Sequence, residues 1–119
     1  EAKTAKVKRL LVCSGKIFYD LDKFRQENKR EDVAIARLEQ IYPFPKKQFE
    51  ALLKQYGKAE LMWVQEEPRN MGAWGHLALN HPEYGWKCVS RPSAASPATG
   101  FLKKHEKEQI EIVEQAFAK

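Results

Sequence analysis

Polar residues follow each of four short apolar runs in this sequence, and these are the places where chemistry is most easily built. The four polar groups are Ser14-Gly15-Lys16, residues 37–40, Gln65-Glu66-Glu67 and Ser90-Arg91. The start of a helix after a glycine turn attracts negative charge through its free N–H groups, and nearby cations strengthen that attraction. These residues predict a candidate effector site for a phosphate-bearing ligand, made of Ser14, Lys16, Arg37 and Arg91.

Simpler interpretations stand beside this site. The pattern around Gly15 is neither a dinucleotide fingerprint nor a P-loop, and a plain tight turn with Ser14 capping the next helix is the more economical explanation. The adjacent Glu66 and Glu67 point to opposite faces of a strand, which does not suit an acid–base pair acting on one substrate. We expect one of the two carboxylates to pair with Arg69 or with a second subunit.

The histidines and cysteines lack the spacing of a metal site. The sequence has three histidines and two cysteines, and neither an H-x-x-x-H nor a C-x-x-C motif occurs. No metal ligand is therefore predicted. Cys13 and Cys88 lie within apolar runs, where we expect buried, unreactive thiols. Two cysteines are too few for a disulfide framework, which favours a reducing compartment.

The apolar runs at 10–13, 33–38, 61–64 and 86–89 predict four strands. Counted from Val7 through Val33, Leu61 and Trp86, the successive steps are 26, 28 and 25 residues. Steps of this length suit one strand–helix unit each. Because the runs are apolar almost throughout rather than alternating, they are typical of a sheet covered on both faces. The predicted fold class is α/β, a three-layer αβα domain with a mainly parallel sheet.

Apolar residues recur at helical spacing between these runs and after the last one. The predicted helices carry Ile17, Leu21 and Phe24; then Phe49, Leu52, Leu53 and Tyr56; a short stretch at Trp74–Asn80; and finally Ile110, Val113 and Phe117. Pro45 suits the first position of the second helix because it lacks an N–H, and Gly57 suits a left-handed cap after that helix. Ser96-Pro97 is the predicted start of the last helix, with Thr99 as a competing cap.

Length, composition and charge exclude several classes of protein. The chain has 119 residues, with 43% hydrophobic and 31% charged residues, which is one domain's worth and not the composition of a disordered chain. The net charge is +5, but residues 1–9 hold four cations and one Glu, so the remainder carries only +2. This argues against a nucleic-acid partner, and no apolar run is long enough for a membrane. Residues 1–6 are interpreted as a linker or cloning remnant, and residues 7–119 as a single domain.

Two segments have the composition of an interface. Residues 68–75 combine Pro, Arg, Asn, Met, Gly and Trp, and Trp, Met and Arg are enriched where proteins meet. Residues 91–100 are small and proline-rich, which suits close packing against another surface. The candidate interface residues are Glu66, Glu67, Arg69, Asn70, Trp74, Arg91, Pro92, Ser96 and Pro97.

Four longer motifs resemble a known family. They are LLVCSGKIFYDL, DVAIARLEQIYPFP, WVQEEPRNMGAW and SRPSAASPATGFLKKHEKEQ. Together they resemble the C-terminal domain of the E1 component of 2-oxoglutarate dehydrogenase, over nearly the whole chain. That resemblance implies the transketolase-type third domain of a longer E1 chain, a three-layer α/β fold. The E1 component of 2-oxoadipate dehydrogenase shares these motifs in part and remains an alternative.

The resemblance also implies a function for the whole enzyme. The family's E1 is a homodimer that uses thiamine diphosphate and Mg²⁺, decarboxylates 2-oxoglutarate in the tricarboxylic acid cycle and transfers the succinyl group to a lipoyl-bearing E2. Its cofactor and catalytic residues lie in earlier domains, so no catalytic, cofactor-binding or metal residue is assigned here. The implied role of this domain is to support dimer and domain packing. The alternative is a regulatory module that binds an acyl-CoA or another phosphate-bearing ligand at Ser14, Lys16, Arg37 and Arg91. The implied location is the bacterial cytoplasm or the mitochondrial matrix.

Overall fold

A computed structural model describes residues 7–39, 44–57, 59–91 and 102–118, with side chains throughout except at 102–105. Strands and helices alternate along the chain. The strands are β1 (Arg9–Cys13), β2 (Val33–Arg37), β3 (Glu60–Pro68) and β4 (Lys87–Arg91). The helices are α1 (Ile17–Glu27), α2 (Lys46–Gln55), α3 (Trp74–Asn80) and α4 (Leu102–Phe117), with a short 3-10 helix at Pro82–Tyr84. Each predicted strand and helix is present.

The described strands form one parallel sheet in the order β2-β1-β3-β4. In the centre of the sheet, Leu11 pairs with Ile35 of β2 on one side and with Met62 of β3 on the other. The β3–β4 pairing is irregular between Val64 and Pro68. The first crossover adds a strand on one side of β1 and the next two add strands on the other side, so the sheet grows outward from its centre.

Helices cover both faces of the sheet, and each face has its own apolar core. On one face Leu11, Cys13 and Val64 pack with residues of α1 and α4. On the other face Leu10 and Trp63 pack with residues of α2 and α3. Neighbouring strand residues thus enter opposite cores, which is why the strand sequences are apolar almost throughout. The predicted three-layer αβα fold with a mainly parallel sheet is confirmed.

The end of α4 is held by two arginines from the amino end of the sheet. Arg9 donates a hydrogen bond to the carbonyl of Ala116 at 2.8 Å, and Arg30 donates to the carbonyl of Phe117 at 2.9 Å. Arg30 also lies 5.6 Å from the centre of the Phe117 ring. Cations at a helix C-terminus satisfy its last carbonyls and complement its dipole. None of the helices in the described part of the chain has the length and apolar character that a bilayer crossing requires.

Three details of the helix predictions are wrong. Pro45 is the N-cap of α2 rather than its first residue, a shift of one position. The C-cap of α2 is Tyr56 with φ −112°, and the backbone of Gly57 is not left-handed. Ile110 is 60% exposed because the buried stripe of α4 runs through Ile112, Val113, Ala116 and Phe117 and leaves Ile110 at its margin. The predicted start at Ser96-Pro97 lies outside the described residues.

Candidate functional site

The polar groups predicted at the strand ends lie along one edge of the sheet. Ser14 follows β1, and Arg37, Glu67 and Arg91 lie at the ends of β2, β3 and β4. The direction of strand addition reverses between β1 and β3, which are neighbours. In open parallel sheets ligands bind outside the carboxyl ends of the strands at such a reversal. The turn after β1 and the end of β3 therefore face the place where a ligand or partner is expected.

The turn after β1 is built on Gly15. Its φ of 80° places the backbone in the left-handed region, which glycine adopts without strain. Helix α1 begins at Ile17, and its N-cap is Lys16 with no side-chain hydrogen bond. The prediction that Ser14 caps α1 is therefore wrong. Ser14 lies two residues before the N-cap, the position from which a hydroxyl accepts the first N–H groups of a helix.

The first N–H groups of α1 are already engaged. The N–H of Phe18 donates to the carbonyl of Gly15 at 3.3 Å, and that of Tyr19 donates to the carbonyl of Lys16 at 3.1 Å. These bonds tighten the first turn and leave fewer backbone donors aimed outward. An anion at this turn would depend on the side chains of Ser14 and Lys16 more than on the helix start.

Arg37 lies beside this turn, against two rings of α1. Its guanidinium is 5.7 Å from the centre of the Phe18 ring and 5.3 Å from that of Tyr19. It donates to the Tyr19 hydroxyl at 3.1 Å and forms an ion pair with Glu39 at 3.2 Å. Because β1 and β2 are neighbours, Ser14, Lys16 and Arg37 occupy adjacent strand ends.

Arg91 does not lie with the other three residues of the candidate effector site. Arg37 ends the strand at one edge of the sheet and Arg91 ends the strand at the opposite edge, about 14 Å apart at the usual strand spacing. The Arg91 side chain is 5% exposed, and it donates to the Glu66 carbonyl and to the Gln109 side-chain oxygen, each at 2.8 Å. It also pairs with Glu108 at 3.3 Å. The predicted effector site is therefore reduced to Ser14, Lys16 and Arg37, which lie at neighbouring strand ends.

A second polar network joins β3 to both helices of one face. The Gln109 amide of α4 donates to the Asp20 carboxylate of α1 at 2.9 Å and to the Glu66 carboxylate at 3.0 Å. Glu66 is half-buried and Glu67 is exposed, so the two neighbours do face different surroundings. The Glu66 carboxylate meets Gln109, and the expected pairing of one of the two carboxylates with Arg69 or with a second subunit stays a prediction.

Residues 66–74, here called the docking loop, comprise the end of β3, the turn after it and the first residue of α3, and Gln65 organises them. This side chain is buried, and its oxygen accepts the indole N–H of Trp63 at 2.9 Å and the backbone N–H of Trp74 at 3.1 Å. Its amide nitrogen donates to the carbonyls of Pro68 at 2.9 Å and Met71 at 2.8 Å. Sequence reasoning missed this role, although a glutamine continuing a buried strand is a signal, because buried polar groups must find partners.

The surface of the docking loop carries the predicted interface residues. Glu67, Arg69 and Asn70 are exposed, and Trp74 is half-buried. The Arg69 guanidinium lies 5.6 Å from the centre of the Trp74 ring, and the Arg69 N–H donates to the Arg91 carbonyl at 2.9 Å. An aromatic ring covered by an arginine is a common feature of protein interfaces. Two other interface candidates are less accessible, since Glu66 is half-buried and Arg91 is buried. The candidates Pro92, Ser96 and Pro97 lie outside the described residues.

The two thiols are held in their neutral form. Burial raises the pKa of Cys13 to about 12, an effect that the nearby Arg37 partly opposes. Burial also raises the pKa of the half-buried Cys88, against the lowering effects of its hydrogen bond with Ser90 and of the charge of Arg69. A neutral thiol is a poor nucleophile. Among the described residues, no three His, Cys, Asp or Glu side chains converge as metal ligands would.

This arrangement is that of a doubly wound α/β domain whose carboxyl edge carries a cationic turn and a tightly tied loop. The family model described as "2-oxoglutarate dehydrogenase C-terminal" matches residues 1–117. The chain therefore belongs to the 2-oxoglutarate dehydrogenase C-terminal family, and the resemblance noted in its motifs is confirmed.

Individual relatives agree with this assignment. A protein of Cupriavidus necator named "2-oxoglutarate dehydrogenase E1 component" is 46% identical over the whole chain, which covers 13% of that relative. The "Multifunctional 2-oxoglutarate metabolism enzyme" of Mycolicibacterium vanbaalenii is 45% identical over 95% of the chain and 10% of its own length. The E1 component of Brucella anthropi is 40% identical over 96% of the chain and 12% of its own length. The chain thus spans about an eighth of these relatives or less.

Proposed function

We propose that residues 7–119 form the C-terminal domain of a 2-oxoglutarate dehydrogenase E1 component and that this domain serves assembly rather than chemistry. The observation that carries the proposal is the docking loop. The buried Gln65 side chain forms hydrogen bonds with the backbone of the loop at Pro68, Met71 and Trp74. Arg69 is exposed and Trp74 is half-buried, with the guanidinium 5.6 Å from the centre of the indole ring. A rigid loop with an aromatic anchor is suited to holding a partner surface.

In this proposal the chemistry belongs to the rest of the E1 chain. The whole enzyme would be a homodimer that uses thiamine diphosphate and Mg²⁺, decarboxylates 2-oxoglutarate and passes the succinyl group to a lipoyl-bearing E2. We assign no cofactor or metal residue to this domain, and among the described residues no three His, Cys, Asp or Glu side chains converge. The partners of this domain are then the preceding domains and the second E1 subunit.

Calorimetry on the 119-residue chain tests whether this domain binds the cofactor or leaves the chemistry to the rest of the E1 chain. We expect no heat of binding with thiamine diphosphate and Mg²⁺, and no release of CO₂ from 2-oxoglutarate. A full-length E1 from one of the relatives serves as the positive control for both measurements. Saturable cofactor binding to the isolated chain would contradict the assembly role.

A second candidate function is binding of an acyl-CoA or another phosphate-bearing effector. The observation that favours it is the placement of Ser14, Lys16 and Arg37 on the adjacent strand ends of β1 and β2, with the turn after β1 at the reversal point of the sheet. Arg91 is left out of this proposal because its guanidinium is enclosed. Titration with acetyl-CoA should shift the NMR amide signals of residues 14–19, and a Lys16→Ala, Arg37→Ala double variant should abolish the shifts. Unchanged binding in the double variant, with Lys54→Ala as the matched control, would reject it.

The names and sources of the relatives support two further choices. The quoted relatives carry 2-oxoglutarate in their names, which favours 2-oxoglutarate over 2-oxoadipate as the substrate of the whole enzyme. All three organisms are bacteria, which favours the bacterial cytoplasm over the mitochondrial matrix.

A further inference from the structure

A groove runs between α1 and α4 on the outer surface of the domain. Its volume is about 520 Å³, and Phe24, Ile110 and Val113 supply its apolar floor. Ile110 is 60% exposed and continues the apolar strip that Phe24 and Val113 form between the two helices. One end of the groove adjoins the docking loop, because the lining residue Gln109 donates to the Glu66 carboxylate at 3.0 Å.

The walls of the groove are acidic. Among the residues whose side chains are described, Asp20, Glu27, Glu106 and Glu114 line it as anions and Lys23 as the one cation. These five groups sum to −3, in a chain whose net charge is +5. An apolar floor between carboxylates is complementary to a segment that has apolar residues on one side and cations beside them.

The dimensions of the groove suit a helix. Glu106 and Glu114 lie eight residues apart on α4, which is about 12 Å or two helical turns. Two neighbouring helices with an apolar seam between them form the groove type into which an amphipathic helix docks. Such a helix would place about two apolar side chains over Ile110 and its lysines or arginines against the carboxylates.

We propose that this groove docks a basic amphipathic helix of another polypeptide. A symmetric contact with a second copy is disfavoured, because it would bring two acidic grooves together. Residues 1–6 carry Lys3 and Lys6 but also Glu1, and with only Ala and Thr between them they offer no large apolar side chain for the floor. A separate basic helix satisfies both the charge and the apolar floor.

The test uses a synthetic peptide of about four helical turns with leucines on one face and lysines on the other, titrated into the 119-residue chain and followed by NMR. We expect amide shifts confined to α1 and α4, and binding that weakens as salt is raised. Ile110→Ser should weaken binding about tenfold, because it removes the apolar contact. The Glu106→Lys, Glu114→Lys double variant should weaken it at least tenfold and reduce its salt dependence.

The matched controls lie on other surfaces. Leu79→Ser changes another exposed apolar residue, on α3, and Glu83→Lys reverses another exposed carboxylate; both should bind like the parent chain. Each substituted residue is exposed, and amide spectra confirm that the variants are folded. Equal loss in Leu79→Ser, equal binding of a peptide with glutamate in place of lysine, or no binding would overturn the proposal.

Two other occupants would also be revealed. Concentration-dependent self-association that Ile110→Ser abolishes would show that a second copy fills the groove. Groove shifts on deletion of residues 1–6, without peptide, would show that the chain's own start fills it. Either result would overturn the proposal of a separate polypeptide.

Discussion

The side-chain oxygen of Gln65 accepts the backbone N–H of Trp74 at 3.1 Å, across nine residues of chain. This bond ties the end of a central strand to the start of α3. The same side chain holds the carbonyls of Pro68 and Met71, so one buried amide fixes the whole docking loop. The proposed assembly role depends on this arrangement, since a loop fixed before binding loses less entropy when a partner docks.

Replacing Gln65 by Leu should lower the free energy of unfolding by about 3 kcal/mol. The substitution leaves the indole N–H of Trp63 and loop carbonyls without their partner, and each buried polar group so stranded costs about 1–3 kcal/mol. Urea denaturation measures the loss, and NMR should show broadened signals in residues 66–74. Gln115→Leu, at an exposed position on α4, should change stability by about 0.5 kcal/mol or less. Equal effects of the two substitutions would contradict the hub role.

Two glycines of the same region should respond to alanine with opposite signs. Gly72 has a φ of +68°, and an added Cβ would lie 3.0 Å from the Gln65 side-chain oxygen. Gly72→Ala should therefore cost at least about 1–2 kcal/mol. Gly75 lies in α3 with nothing within 4 Å of an added Cβ, so Gly75→Ala should stabilise by about 0.5 kcal/mol. Thermal unfolding of both variants checks the signs, and a loss in Gly75→Ala equal to that in Gly72→Ala would be inconsistent with this geometry.

Glu60 should give the protein an acid-sensitive contribution to stability. Its hydrogen bond with Lys87, helped by Arg9, holds the pKa of this carboxyl below its ordinary value of 4.5. A lowered folded-state pKa stabilises the fold above the unfolded-state pKa, and the contribution disappears as the pH falls through the folded-state pKa. Because Glu60 is about a third exposed, its share is less than about 1 kcal/mol.

Urea denaturation of the parent chain and Glu60→Gln tests this sign. The difference between them should be constant near neutral pH and begin to shrink below about pH 4.5. It should vanish only below the lowered folded-state pKa of Glu60, where both side chains are neutral. The free energy of unfolding of the Glu60→Gln, Lys87→Met double variant should depend on pH as that of Glu60→Gln does, because the acid-sensitive contribution needs both side chains. A difference that grows in acid would contradict the assigned direction.

The two thiols should differ in reactivity in the folded protein. With its pKa raised to about 12, Cys13 holds about one thiolate in ten thousand molecules at pH 8. Cys88 is less buried. We expect Cys88, measured in Cys13→Ser, to react slowly with a disulfide reagent. Cys13, measured in Cys88→Ser, should react only on unfolding, and faster labelling of native Cys13 than of Cys88 would contradict its burial.

The layers of this fold could be predicted from local patterns. Residues 10–13 and 61–64 are apolar at every position because neighbouring side chains enter different cores, as Leu10 and Leu11 do. The stretch Trp74–Asn80 was likewise predicted with its observed bounds. The strand predictions succeed because burial on both faces of the sheet leaves a continuous apolar run in the sequence.

The networks at the carboxyl edge could not be predicted in the same way. Gln109 meets Asp20 and Glu66 across 89 and 43 residues, and such contacts depend on which strands are neighbours. Spacing alone does not fix that order, so Arg91 was grouped with Arg37 although they end opposite edge strands. The exposure of Ile110 depends in the same way on how α4 lies against α1.

The most direct test of the assembly role replaces the C-terminal eighth of the Cupriavidus necator E1 component by this chain. We predict that the chimera forms the dimer and decarboxylates 2-oxoglutarate, and that deletion of the segment abolishes dimer formation. Trp74→Ser with Arg69→Ser in the chimera should weaken the dimer in sedimentation and leave cofactor affinity per folded subunit unchanged. A truncated enzyme that still dimerises and turns over as well as the chimera would contradict the account.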